Sequence, residues 1–279
     1  MAEFLYGTSS WSEKSWVGPF YPEGTAPGDY LSHYATRFRA VEADVTYYRI
    51  PDARMVDGWA RKTPEGFELC AKFPRTIVHG GEEARPDPEC VLVPERVGED
   101  VLRFTKVMAR LGEKCGPLVL QFPYFNKTVF GGPGDFLARL DPFLAALPKG
   151  HRYAVEVRNG AWIKPPLLEV LRRHKVALVL VELSYLPHPA DLAQKLDLVT
   201  ADFVYCRLIG DRKAIDEKTD TFDRIVLDMS KQLDRWASLL RTLRERVPKT
   251  YAFANNHYAG HGPATIRDLA SLVEGGKGS

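Results

Sequence analysis

The chain lacks any cysteine pair spaced for chemistry. Its four cysteines are Cys70, Cys90, Cys115 and Cys206, and the closest two are Cys70 and Cys90. No Cys-x-x-Cys zinc or redox pair exists, and four lone thiols read as reduced cysteines of a cytosolic protein. An excess of one charge is also missing. The 38 Lys and Arg stand against 36 Asp and Glu, a net charge of +2. Such balance exerts no global pull toward nucleic acid or membrane. Long apolar runs are absent: the clearest, Val176–Val181, is six residues, against about 20 for a bilayer span. The opening Met-Ala-Glu-Phe-Leu-Tyr-Gly has no basic stretch followed by an apolar run. It is not read as a signal peptide, and a soluble cytoplasmic protein with no membrane partner is expected. No Gly-x-Gly-x-x-Gly follows the first strand, where Gly7-Thr-Ser-Ser-Trp stands instead, and no Gly-Lys-Ser/Thr occurs. A dinucleotide fold and a phosphate-cradling loop are therefore disfavoured. Ser9 and Ser10 lack the Gly-x-Ser-x-Gly elbow of a serine hydrolase.

What is present is ordinary globular composition. The 279 residues are 45% hydrophobic and 27% charged, enough to bury a large core. Short β-rich runs alternate with amphipathic stretches. The strand readings are Glu3–Gly7, Ala40–Asp44, Phe67–Lys72, Pro117–Gln121, Tyr153–Val157, Val176–Val181, Phe203–Leu208 and Thr250–Ala254. Nearly continuous apolar segments among them suit parallel strands buried on both faces. Helical patterns fall at Gly28–Phe38, Ala53–Lys62, Gly98–Leu111, Gly134–Leu147, Pro165–His174, Ser230–Arg246 and Pro263–Glu274. Asp29 and Asp135 are read as N-caps, and Pro165 and Pro263 as first-turn prolines. Eight βα repeats predict a single (β/α)8 TIM barrel over residues 1–274, followed by a flexible tail at 275–279. Long loops after strands three and seven, Phe73–Val97 and Gly210–Leu227, are candidates for function.

In such a barrel, chemistry collects at the C-terminal ends of the strands. Those ends carry Glu42 and Asp44, Lys72, Gln121, Glu156 and Arg158, Glu182, Arg207, and Asn255 with Asn256. Charges at the ends of apolar strands need partners, and Glu42, Lys72, Glu156, Arg158, Glu182 and Arg207 are expected to converge on one mouth. Glu42 and Glu156 are read as an acid–base pair facing across it, because two carboxyls in different environments divide acid from base duty. Lys72, Arg158 and Arg207 are read as a clamp for an anionic group, with Gln121, Asn255 and Asn256 orienting it. Lys72 has the alternative of a Schiff-base nucleophile. The bland alternative for the whole set is a ring of salt bridges that plugs the barrel.

No cofactor is read from the chain. A single divalent ion held by His79 with Glu42, Glu156 and Glu182 is the alternative, while a three-metal cluster needs more histidine than the mouth offers. Tyr47 lies beside this set. Trp11, Trp16 and Trp162 follow strands one and five, where aromatics either stack a ring of the ligand or pack the loops. The leading expectation is an enzyme of hydrolytic or proton-transfer chemistry on a small polar, anionic molecule. The alternatives are a nuclease-like nucleic-acid barrel and a non-catalytic binding protein. Nothing in the sequence sets the oligomeric state.

A set of motifs spread over nearly the whole chain resembles the YecE-like family, domain of unknown function 72. They are Gly7-Thr-Ser-Ser-Trp, Trp16-x-Gly-x-Phe-Tyr-Pro22, Val41-Glu-x-x-x-Thr-Tyr-Tyr-Arg-x-Pro51, Trp59-x-x-x-Thr-Pro64, Phe67-x-x-x-x-Lys72, Gln121-Phe-Pro123, Val155-Glu-Val-Arg158 with Trp162, Tyr205-x-Arg-x-x-Gly210 and Phe253-x-Asn-Asn256. The resemblance implies a TIM barrel and carries no activity with it. One position departs from the pattern: Ala43 and Asp44 stand where relatives often show Glu-x-Asn, so a side-chain amide becomes a carboxyl here.

Overall fold

A computed structural model describes residues 2–275. The apolar runs form eight parallel strands: β1 (Glu3–Thr8), β2 (Ala40–Ala43), β3 (Glu68–Lys72), β4 (Cys115–Gln121), β5 (Tyr153–Glu156), β6 (Ala177–Leu183), β7 (Phe203–Gly210) and β8 (Lys249–Ala254). Their hydrogen-bonded order is β1-β8-β7-β6-β5-β4-β3-β2. This is a nearly closed (β/α)8 barrel. The helices are α1 (Tyr30–Tyr34), α2 (Ala53–Lys62), α3 (Arg75–Val78), α4 (Pro94–Met108), α5 (Pro133–Ala146), α6 (Pro165–Arg173), α7 (Pro189–Ala193), α8 (Arg212–Asp216), α9 (Ser230–Arg244) and α10 (Gly262–Gly275). No helix among the described residues is long and apolar enough to cross a membrane.

Alternation along the strands separates two cores. Leu5, Ala40, Cys70, Val119, Ala154, Val179, Tyr205 and Tyr251 fill the barrel. Their neighbours, such as Val41, Leu69, Leu120, Val155 and Leu180, pack outward against the helices. The floor of the barrel is closed by a buried carboxyl that the sequence reading left out. Glu68 accepts from Arg152 at 2.7 Å and Tyr251 at 2.6 Å, and also from Lys249.

Between β1 and β2 a tyrosine stands in for a backbone ladder. Gly7 lies so near Ala40 that a Cβ would fall 2.1 Å from its carbonyl oxygen. The hydroxyl of Tyr34, fully buried on α1, donates to that carbonyl (3.2 Å) and accepts from the Thr8 amide (2.7 Å). Tyr34→Phe removes both bonds and leaves buried polar groups unpaired. We expect a loss of about 1–3 kcal/mol in urea unfolding; an unchanged midpoint would show that the seam closes without it.

Several local expectations need correction. The pattern over Gly28–Phe38 yields only a short 3-10 turn and the five residues of α1. Asp29 holds the N-cap position but makes no capping bond. Asp135 lies inside the first turn of α5, which Pro133 opens, so it faces the helix dipole instead of capping it. The two long loops are partly helical, containing α3, the start of α4 and α8. Gly275 closes α10, and the rest of the expected tail, 276–279, lies outside the described residues.

Candidate functional site

The inward register carries polar residues to the top of the barrel. Glu42 follows Ala40, Lys72 follows Cys70, Gln121 follows Val119, Glu156 follows Ala154, and Arg207 follows Tyr205, each two residues on. The structure brings all five together around one guanidinium. Arg207 Nε and Nη2 reach Glu42 Oε1 at 3.1 and 2.9 Å. Its Nη1 donates to Gln121 Oε1 at 2.7 Å and to Glu156 Oε2. Tyr205 donates its hydroxyl to Glu42 Oε2 at 2.8 Å, and Lys72 Nζ lies 3.6 Å from Oε1. Arg158, part-exposed, donates from Nε to Glu156 Oε1 at 3.0 Å. Glu42 and Glu156 are both 0% exposed and Arg207 is 2% exposed. Thr46 ties this layer to the backbone: its hydroxyl donates to the Lys72 carbonyl at 2.8 Å and accepts the Lys72 amide at 3.0 Å.

Burial alone would raise both glutamates. The charge of Arg207, joined by Lys72 at Glu42 and by Arg158 at Glu156, outweighs it and holds both below the usual glutamate range. Lys72 is pushed down by burial and by Arg207, against the pull of Glu42. Carboxyls depressed in the folded state add stability above their unfolded pKa, about 4.3 for glutamate, and lose it as pH falls through the folded value. We therefore expect stability in denaturant to decline as pH drops below about 4. A stability flat from pH about 7 to 3 would contradict the pairing.

Beside this network lies an open cavity of about 260 Å³ over the ends of β1, β2 and β8. Its chemistry comes from Ser9, Ser10, Asp44, Asn255, Asn256 and His257. Ser9, Asp44 and Asn255 continue the inward register of Gly7, Glu42 and Phe253 by one further step. The long loop after β7 makes one wall. Gly210, at φ +77°, lets it leave the barrel against His257, where a Cβ would sit 2.7 Å from the His257 carbonyl oxygen. Phe222 packs on the His257 ring with centroids 4.8 Å apart, and its amide donates to Ser15 Oγ at 3.0 Å. His257 Nε2 lies 3.2 Å from Asp216 Oδ1 and Nδ1 lies 2.9 Å from Asn255 Oδ1. Burial pushes this imidazole toward its neutral form, and Asp216 partly restores the charge.

Asp44 differs from both glutamates. Among the described residues it forms no ion pair and no hydrogen bond to another side chain. Burial raises its carboxyl above the usual aspartate range despite the nearby Lys72. Two carboxyls two residues apart on one strand end are thus driven in opposite directions.

The other expected residues fall elsewhere. His79 is buried against Tyr47, with Nε2 and the tyrosine hydroxyl 2.8 Å apart, and burial pushes it toward the neutral form. Trp162 packs with Phe125 and Phe136 at 6.2 and 5.2 Å, and Trp11 edges Trp59 at 5.6 Å, so both are packed into the loops. Asn256 lines the cavity but its Oδ1 accepts the Gly262 amide at 2.9 Å. Glu182 is a correction. The inward residues of β6 are Val179, Val181 and Leu183, so Glu182 points out to the helices. There it accepts from Trp236 Nε1 at 2.5 Å and Tyr258 at 2.7 Å, with His188 at 3.5 Å. The set of His79, Glu42, Glu156 and Glu182 is therefore not assembled. Among the described residues no group of three or more His, Cys, Asp or Glu side chains is placed to hold a metal ion.

Eight parallel strands with an inward polar layer and a cavity at their C-terminal ends define a (β/α)8 barrel protein whose chemistry-bearing residues cluster at one mouth. The chain belongs to the family described as protein of unknown function DUF72, which matches residues 5–278. The solved structure of a DUF72 family protein from Thermotoga maritima is similar, with a TM-score of 0.74 and 27% identity over 97% of this chain and 99% of that one. A second, from Enterococcus faecalis, has a TM-score of 0.68 and 19% identity over 97% and 95% and shows the shared fold. The UPF0759 protein YunF of Bacillus subtilis is 33% identical over 163 residues, 58% of this chain and 53% of that protein. The chain thus aligns with about half the length of that curated relative.

Proposed function

We propose that the protein is an enzyme of acid–base chemistry, acting on a small polar molecule in the cavity at the C-terminal mouth. One observation carries this reading: Asp44 is a half-buried, unpaired carboxyl on the cavity wall, raised by burial, while the neighbouring Glu42 is pinned as an anion. Environments that separate two carboxyls in this way assign the proton to one of them. Asp44 gives and takes the proton. Lys72, whose charge reaches Asp44, favours the ionised form once the proton has left.

In this reading Glu42 and Glu156 do not exchange protons themselves. They hold Arg207 as a fixed electrostatic layer, with its Nε, Nη1 and Nη2 all turned to Glu42, Gln121 and Glu156. Asn255, anchored by the His257 amide at 3.0 Å, orients the substrate with its free amide group. Lys72 and Arg158 are turned to the two glutamates, Lys72 Nζ lying 3.6 Å from Glu42 and Arg158 Nε 3.0 Å from Glu156. The nuclease-like alternative has less behind it, because no Lys or Arg among the described residues lines the cavity.

The test is a metabolite pool incubated with wild-type protein and with Asp44→Asn, read by mass spectrometry. A compound consumed by the wild type and spared by the variant is the expected result. A pool unchanged by the wild type, or consumed equally by both, would remove the acid–base reading.

A further inference from the structure

We infer that the mouth cavity takes an uncharged, polyhydroxylated ligand the size of one sugar ring. This rests on the reading of that cavity as the reaction site, and adds to it the substrate class. The first argument is an unmet hydrogen-bonding demand. Ser9 is 3% exposed and Trp16 is 1% exposed, both line the cavity, and among the described residues neither Ser9 Oγ nor Trp16 Nε1 has a partner. Buried donors without partners are uncommon and costly to the fold, so a ligand that supplies acceptors is favoured.

The second argument is the mixture of donors and acceptors. Asn255 Oδ1 is engaged by His257 and Asn256 Oδ1 by Gly262, which leaves both amide NH2 groups to donate. Glu13 Oε1 is engaged by Ser15, at 3.0 Å from the amide and 2.8 Å from the hydroxyl, so its second oxygen and the Asp44 carboxyl remain to accept. A hydroxyl donates and accepts from one atom without carrying charge, so a ligand bearing several matches both sets. The third argument is charge. The lining holds Glu13 and Asp44 and no Lys or Arg, while Lys72 Nζ is drawn to Glu42. A phosphate or carboxylate placed here meets like charge. Volume sets the size. The cavity, about 260 Å³, falls just below the about 300–1,000 Å³ of drug-sized sites, and the Phe222 ring gives it an apolar wall for the carbon face of a ring.

The test is calorimetry and saturation-transfer NMR on the whole protein. The probes are neutral hexoses, pentoses and their reduced polyols, each beside its phosphorylated or uronic counterpart. At least one neutral compound should bind about tenfold or more tightly than its charged counterpart, with an affinity insensitive to salt. Ser9→Ala and Phe222→Ala should each weaken it about tenfold, with unfolding curves checking that both variants fold. Charged counterparts binding as well or better, no neutral compound binding, or both folded variants binding unchanged would each overturn the inference. The failures separate cleanly. A protein that binds neutral polyols but consumes nothing keeps this inference and loses the acid–base reading. One that consumes an anion in an Asp44-dependent manner does the reverse.

Discussion

Arg207→Leu is expected to destabilise the protein by about 3–5 kcal/mol, the largest effect of any single substitution at the mouth. The reason is what it leaves behind. Glu42 and Glu156 are both fully buried, and each takes its closest cation from Arg207. Lys72 and Arg158 each reach only one of the pair, Lys72 at 3.6 Å from Glu42 and Arg158 at 3.0 Å from Glu156, so neither bridges the two as the guanidinium does. Two anions then face one another without water, and Gln121 loses its donor. The combined variant Arg207→Met with Glu42→Gln and Glu156→Gln should recover much of the loss, since it removes the unpaired charges together. Urea unfolding followed by circular dichroism reads both. A single variant that loses less than about 1 kcal/mol would mean that water reaches the glutamates in solution.

Asp44→Asn should do the opposite, lowering turnover while sparing the fold. Removing a general acid–base group costs about 10²–10⁴ in rate, and the amide matches the carboxyl in shape. Stability follows the sign of the shift. Because burial raises the carboxyl in the folded state, ionising it weakens the fold, progressively between the ordinary aspartate value of about 3.9 and the higher folded value. At neutral pH the variant should therefore be as stable as the wild type or more so. Below pH about 4, where the wild-type carboxyl is protonated in both states, the difference should vanish. Rate constants on the compound consumed from the metabolite pool, with unfolding curves at both pH values, check the two halves together. A variant that keeps its rate would take the proton-transfer role from Asp44.

The barrel and the charged layer at its mouth were legible in the sequence because both follow from alternation, whereas the Glu68 floor was not read. Apolar runs marked the strands, and spacing by two put Glu156 with Arg158, Tyr205 with Arg207, and Glu42 with Asp44 on shared faces. The same rule, taken strictly, also places Glu182 outside, one step off the inward positions of β6. Its place at a strand end does not put it on the inward face. The partners that hold Glu182, Trp236 and Tyr258, come from distant segments and no local pattern announces them. The cavity was only partly legible. Asn255 and Asn256 stand out at a strand end, but Ser9 lies just past its strand, where a periodic reading stops, although the inward register runs on through it. That Arg207 is taken up by Glu42, Gln121 and Glu156, while Asp44 has no side-chain partner among the described residues, depends on distances of a fraction of an ångström that sequence does not encode. The short helices α3, α7 and α8 escaped for a simpler reason: four or five residues carry too little periodicity to read.

Three carboxyls within one mouth are driven apart. Carbon-detected NMR titration of the aspartate and glutamate side chains, with Asp44→Asn, Glu42→Gln and Glu156→Gln to assign the signals, measures that directly and needs no substrate. Asp44 should titrate above the ordinary aspartate value, and Glu42 and Glu156 both below the ordinary glutamate value. Asp44 titrating at or below the ordinary value, or either glutamate titrating above it, would contradict this.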